Sequence, residues 1–429
     1  MNKNLASELV NLLKCEMKPA LGVTEPVAVA LAAATAYQAV KGDLKEMTII
    51  TDPALFKTGV SVVVPGTQET GFAMAAIMGV LVGNPDLELE VLKFVDDKNV
   101  SRAKLLLSKG LVTTRIKKGQ AGIYVEVLVK TTNGIARTII KKTHTNIVLV
   151  EVNGTVIFRK ARKRNTKKGF DITTLKVADL VAFALEAPGA DIEFVLDAVT
   201  MNRELAEQGL TGKYGMAAGA AMSKILPVGT MNEDPINTAK ILVASACDAR
   251  LGGAQKPAMS IAGSGCHGVT ATLPVMVMAE WLHTGEKKLA RAVTLSFLVT
   301  LYIKAFSGRL SAFCGCAVTA AAGAGAGIAY LLDGKTKQIE NAITNVAADV
   351  TGIICDGGNF GCALKTSTGA SSAIRAAQLA SLGIVIPAGS GVIGKTIEET
   401  IKNMGIISSP GMVQTDKEIL AIIERALIN

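Results

Sequence analysis

Cysteine is the residue type whose placement offers most chemistry in this chain. Four thiols stand beside glycines in its second half: Cys314 and Cys316 in RLSAFCGC (309–316), Cys355 in CDGG (355–358), and Cys362 in GCALK (361–365). The glycines mark bends at each thiol. Cys355 and Cys362 lie seven apart across a loop expected to separate two helices, a spacing that brings both sulfurs to one point, with a third supplied by the turn at 314–316. A closed structural zinc site takes four ligands, usually from CxxC pairs, which are absent here; three thiolates and an open corner suit an iron-sulfur cluster better. The competing reading is plain packing, because free cysteine is a small hydrophobe that fills Ala-rich cores.

Around these thiols stand groups able to move a proton or hold an anion. Lys365 is three residues beyond Cys362, within one helical turn, and burial would lower its pKa enough to make it a base. Glu25 and His144 are rival bases. Glu25 precedes Pro26 at a helix start, where carboxylates also serve simply as caps, and His144 precedes a strand, where a histidine is often only a hydrogen-bonding residue. His267 is nearer a glycine turn, and His283 stands at an ordinary helix end. Arg250 and Arg309, each flanked by small residues, can clamp a carboxylate through a bidentate fork or snorkel from helix ends. Ser264, Gly263 and Gly265 can turn backbone N–H groups toward a carboxylate at a helix start. Thr24, beside Glu25, joins this substrate-binding set.

The strings PALGVTEP (19–26), VPGT (64–67), HTNIV (144–148), SACDARLGG (245–253), GSGCHGVTATLPV (263–275), RLSAFCGC (309–316) and ICDGGNFGCALK (354–365) occur in order across nearly the whole chain. In this the sequence resembles the L-cysteine desulfidase family and, more distantly, the iron-sulfur L-serine dehydratases. The resemblance implies an oxygen-sensitive 4Fe-4S cluster held by three cysteines, and conversion of L-cysteine to pyruvate, sulfide and ammonia without pyridoxal phosphate. Carried over by motif, the ligands are Cys355, Cys362 and Cys314, the last because the family pattern RLSALC ends in cysteine there, with Cys316 in reserve. An iron without a protein thiolate would act as a Lewis acid while a base takes the α-proton.

Two motifs depart from the family. Val23 stands where PALGCTEP has a thiol, and Cys266 and His267 replace the two amides of GSGNQG. Both departures fall near the implied substrate pocket and bear on substrate identity. L-serine or threonine dehydration by the same mechanism is therefore one alternative, and a cluster-less amino-acid-binding protein is another.

Charge narrows the partners. The 429 residues carry a net charge of +9, and the run RKARKRNTKK (159–168) holds seven positive charges without an acid, so the remainder is near +2. No aromatic residue interleaves with that run, which reads as a solvated connector and argues against nucleic acid as partner. An odd number of cysteines, seven, argues against a disulfide framework. The N-terminal segment lacks the apolar core of a secretion signal, so a cytoplasmic location is expected. Segments 257–279 and 310–332 are uncharged, but their Ala, Gly, Ser and Thr content favours buried globular helices over membrane spans. The expected partner is a small amino acid, with no membrane, and homo-oligomerisation is left open.

The elements that must position these residues divide by period. The first 170 residues mix helices with strands at Met47–Thr51, Val60–Val64, Val112–Ile116, Ile123–Lys130, Ile135–Lys141, Ile147–Val152 and Val156–Arg159, with Lys18–Pro26 a turn. This predicts an α/β sandwich domain with a mainly antiparallel sheet over residues 1–170. From Leu175 onward the pattern is helical, which predicts an all-α domain of Ala/Gly-rich helices over 171–429, and an α+β fold as a whole.

Overall fold

The computed structural model describes residues 3–120, 122–161, 170–225 and 234–428. The chain runs through α1 (Lys3–Glu16), β1 (Lys18–Leu21), α2 (Thr24–Val40), β2 (Leu44–Thr51), α3 (Pro53–Gly59), α4 (Phe72–Val82), α5 (Asp97–Ser108), β3 (Val112–Ile116), β4 (Tyr124–Thr131), β5 (Gly134–Lys141), β6 (Ile147–Val152) and β7 (Thr155–Arg159). Helices α6 (Val177–Glu186), α7 (Gly189–Ile192), α8 (Leu196–Leu210), α9 (Ala218–Ile225) and α10 (Pro235–Leu251) follow, then β8 (Pro257–Ser260), α11 (Gly265–Trp281) and α12 (Glu286–Ser307). The rest is α13 (Gly315–Leu331), α14 (Thr336–Val350), α15 (Cys362–Ser381), α16 (Ile397–Ile406) and α17 (Val413–Ile428). The architecture is α+β. Most of the basic run, 162–169, lies outside the described residues.

Six strands form a sheet in the order β3-β2-β4-β5-β6-β7, antiparallel except for the β2–β3 pair. Alternation decides its faces: Val125, Val127 and Val129 of β4 point into a core shared with α2 and α4, while Tyr124, Ile139 and Leu149 make a small cluster on the other side. A second, larger core is helical, and α1 contributes Leu9 and Leu13 to it.

Three stretches differ from the pattern read in the sequence. Lys18–Leu21 is no turn: it pairs antiparallel with β8, so the helical half contains a strand, and Gly22 at φ +75 makes the bend into α2. The partner lies more than two hundred residues away, and four residues carry no readable period. Val60–Val64 is not a strand. Asp52 caps α3 by accepting from Ala54 and Leu55 N–H at 3.0 Å, Pro53 occupies its first turn, and the valines beyond it are apolar because Val62 and Val64 enter the two cores.

Small residues set the spacing of the helical half. Helix α13 is buried nearly throughout, and a Cβ on Gly323 would stand 2.3 Å from the Ser296 carbonyl oxygen of α12, one on Gly327 2.6 Å from that of Ala292. Among the described residues one helix, α12, is long and apolar enough to cross a membrane, and 78% of its apolar window is buried inside the structure, the position of a core helix. Overpacking at such a contact costs about 1–3 kcal/mol. Gly323→Ala is therefore expected to lower the unfolding free energy by about that amount in chemical denaturation, whereas Gly352→Ala, exposed with nothing within 4 Å, should change it by less than about 0.5 kcal/mol.

Candidate active site

A cavity lies where four helices begin. Val23 caps α2, Ser264 caps α11, Cys314 caps α13 and Cys362 opens α15, and all four residues line it. Their positive dipole ends face a common space, which favours thiolates and carboxylates there.

Backbone pairing fixes the thiol-bearing loops. Cys314 N–H donates to the Ile353 carbonyl at 2.7 Å and Cys355 N–H to the Ala312 carbonyl at 2.8 Å, around an antiparallel Phe313–Ile354 bridge. Gly357 and Gly358 press against α3, where Cβ atoms would stand 2.4 Å from the Lys57 and 2.1 Å from the Thr58 carbonyl oxygen. The turn ends with Cys362 N–H on the Asn359 carbonyl at 3.0 Å. Cys314, Cys355 and Cys362 thus line one cavity.

They do not meet at one point, as the spacing had predicted. Among the described residues no three His, Cys, Asp or Glu side chains gather tightly enough for a single metal ion. Cys314, Cys355 and Cys362 border a shared space, which is what a polynuclear cluster with one cysteine per iron would require. Burial pushes the Cys355 and Cys362 thiols up, and the charge of Cys314 adds to it, so metal binding there would release protons.

Cys316 touches Cys314 and links it to a second group of side chains. Its sulfur lies 3.4 Å from His267 Nδ1 and 3.8 Å from Ser264 Oγ. Nearby, Cys266 accepts from Arg250 Nη1 at 3.1 Å and from the Cys247 thiol at 3.6 Å, while Thr366 Oγ1 donates to Cys247 at 3.2 Å. The Cys247 and Cys316 contacts, aided by the Arg250 charge, hold Cys266 well below the usual thiol range.

The anticipated bases fare unequally. Lys365 pairs with Asp356 and donates to the Ile354 carbonyl at 3.2 Å; although burial works the other way, Asp356 raises its pKa, so it is held as a cation and is not a waiting base. Glu25 and His144 are both buried, with Oε1 3.7 Å from Nε2, an ion-pair contact too long for a hydrogen bond. Burial raises Glu25, but His144, Arg250 and the Thr24 hydroxyl outweigh it, and the carboxyl stays below its usual range.

The substrate-binding candidates also separate. Arg309 is committed to Glu16 of α1 through both ends of its guanidinium. Arg250 is buried and its Nε and Nη2 have no partner. Gly265 stands behind it, where a Cβ would meet Arg250 Nε at 2.3 Å. Thr24 supports from outside the cavity lining: its hydroxyl lies 3.0 Å from both Glu25 Oε2 and the Gly263 carbonyl.

Sequence reasoning missed Lys57, Lys304 and Asp416, which also line the cavity. Lys57 donates to the Cys355 carbonyl at 2.7 Å and pairs with Asp416 of α17. A lone lysine ending the apolar run of α12 was a readable signal for Lys304. Nothing local distinguishes Lys57 or Asp416.

A family model described as the serine dehydratase alpha chain matches residues 88–421. A UPF0597 protein of Clostridium botulinum is 44% identical, with 98% of this chain and 99% of that protein covered. UPF0597 proteins of Clostridium tetani (37% identical, 96% and 97% covered) and Photobacterium profundum (38%, 98% and 99%) are similar over the same span. On the extent of the family match and these full-length likenesses, the chain belongs to the serine dehydratase alpha chain family.

Proposed function

We propose that the protein is an iron-sulfur-dependent lyase that takes L-cysteine to pyruvate, hydrogen sulfide and ammonia by β-elimination, in the cytoplasm, without pyridoxal phosphate. The observation that carries this reading is the single cavity where Cys314, Cys355 and Cys362 face an arginine whose Nε and Nη2 are buried and unpartnered. A buried donor without a partner costs about 1–3 kcal/mol, a cost that a bound carboxylate would remove. Dehydration of L-serine or L-threonine is the second reading, favoured by the family's description.

When bound to those three thiolates, a 4Fe-4S cluster supplies a Lewis-acid iron with a free coordination position. The chain's own residues do the rest. Arg250 takes the substrate carboxylate through its free Nε and Nη2. Glu25, kept ionised, accepts from the substrate ammonium. The four helix N-termini favour negative charge on the departing sulfide. Loss of the α-proton and of sulfide leaves aminoacrylate, which tautomerises and hydrolyses to pyruvate and ammonia unaided. Val23, Cys266 and His267, which make the two motifs depart from the family, all line this cavity, so they bear directly on which side chain is accepted.

Anaerobic purification with iron and sulfide counting, followed by product assays, tests the reading. The expected outcome is a brown protein that forms sulfide and pyruvate from L-cysteine and leaves L-serine largely unchanged. Dehydration of serine without sulfide release would favour the second reading, and a colourless protein that still binds an amino acid would refute both. Cys314→Ala, Cys355→Ala and Cys362→Ala should each abolish colour and turnover, while Cys15→Ala, at an exposed position of α1, should alter neither. Cys247 is not a comparable control, because it touches Cys266 and Thr366.

Arg250→Lys removes the fork and keeps a cation. Loss of a buried partner to a charge costs roughly 2 kcal/mol or more, so calorimetry should show amino-acid binding weakened at least about 30-fold. Unchanged affinity would remove Arg250 from the carboxylate site.

A further inference from the structure

The cations of the cavity differ in what holds them. Lys57, Lys365 and Arg309 each have a carboxylate partner. Lys304 has none among the described residues. It is 4% exposed, and its ammonium nitrogen donates to the Ser311 hydroxyl at 3.2 Å, which itself donates to the Phe313 carbonyl at 2.9 Å. A buried ammonium without a counter-charge is unfavourable, so the amine gives up its proton more readily than an exposed lysine.

Its position is open to the cavity. Lys304 and His267 both line it, and a Cβ on Gly315 would stand 3.1 Å from Lys304 Nζ and 2.4 Å from His267 Nε2, so the glycine makes room for both nitrogens. The charged groups that act on Lys304 are Cys316, Cys355 and Cys314, which raise its pKa, and Arg309, which lowers it.

We propose that Lys304 is the base that takes the α-proton of the amino-acid substrate, an assignment that rests on the lyase reading of this site. The neutral amine forms an N–H bond as the Cα–H bond breaks. The released electron pair forms the Cα–Cβ double bond, the Cβ–S bond breaks, and sulfide leaves with its electron pair while the proton stays on Lys304 Nζ. Burial lowers the pKa of Lys304 to about 8, so about a tenth of it is neutral at pH 7. The other candidates are less suited: Lys57 and Lys365 are paired to carboxylates, and Arg250 does not deprotonate.

Lys304→Met and Lys304→Arg, purified anaerobically, test it. L-Alanine, which has no leaving group, reports binding by calorimetry, and visible absorbance reports the cluster. In both variants kcat for L-cysteine should fall about 100-fold or more, with KM, alanine affinity and absorbance unchanged. Arginine keeps the positive charge and cannot act as a base, so restored turnover in Lys304→Arg would show a merely electrostatic or structural role and overturn the assignment. So would turnover within about tenfold of wild type in Lys304→Met, or lost alanine affinity or absorbance in both variants. A wild-type protein that eliminates from neither cysteine nor serine would overturn the lyase reading itself, a result distinct from these.

Discussion

The site depends on two backbone hydrogen bonds that join loops forty residues apart. Because Cys314 N–H reaches the Ile353 carbonyl and Cys355 N–H the Ala312 carbonyl, the separation of these two cysteines is set before any side chain acts. The Gly357 and Gly358 contacts with α3 then leave Cys362 one place to start α15. Thiols positioned by main chain do not need a metal to gather them, and the entropy of ordering the loops is met during folding.

Gathering thiols in a buried space raises an electrostatic problem, and the fold answers it in two ways. Four helix N-termini supply partial positive charge that no titration can remove. Five cationic side chains, Lys57, Arg250, Lys304, Arg309 and Lys365, add whole charges, of which three are spent on carboxylates. The spent ones act as struts: Lys57 ties the Cys355 loop to α17, and Arg309 ties the loop before Cys314 to α1. The other two, Arg250 and Lys304, have no carboxylate salt bridge among the described residues.

What the sequence revealed follows from the range of the physics involved. Strands of the large sheet announced themselves because one face of each is buried and period 2 results. The β1–β8 pair did not, since four residues with a distant partner leave no pattern. The thiols were found through glycines that their bends require. Roles that depend on ion pairing were the hardest to read: Glu16 lies 293 residues from Arg309, and Asp356, though only nine residues from Lys365, is brought to it by a turn that leaves no periodic pattern. Lys304 was readable in principle, as a single charge closing an apolar helical run.

The contact between Arg250 and Cys266 shows how a family motif can change without dismantling its site. An amide at position 266 would offer Arg250 a neutral acceptor. The thiol found here accepts from Nη1 at 3.1 Å, and Cys247, Cys316 and the Arg250 charge hold it well below the usual thiol range. That bond commits one corner of the guanidinium and leaves Nε and Nη2 free. It also offsets part of the arginine's charge, so an incoming carboxylate meets a fork fixed in orientation but weaker in field than a bare arginine. Val23 likewise places an apolar side chain in the lining of the same cavity, where the family motif has a thiol.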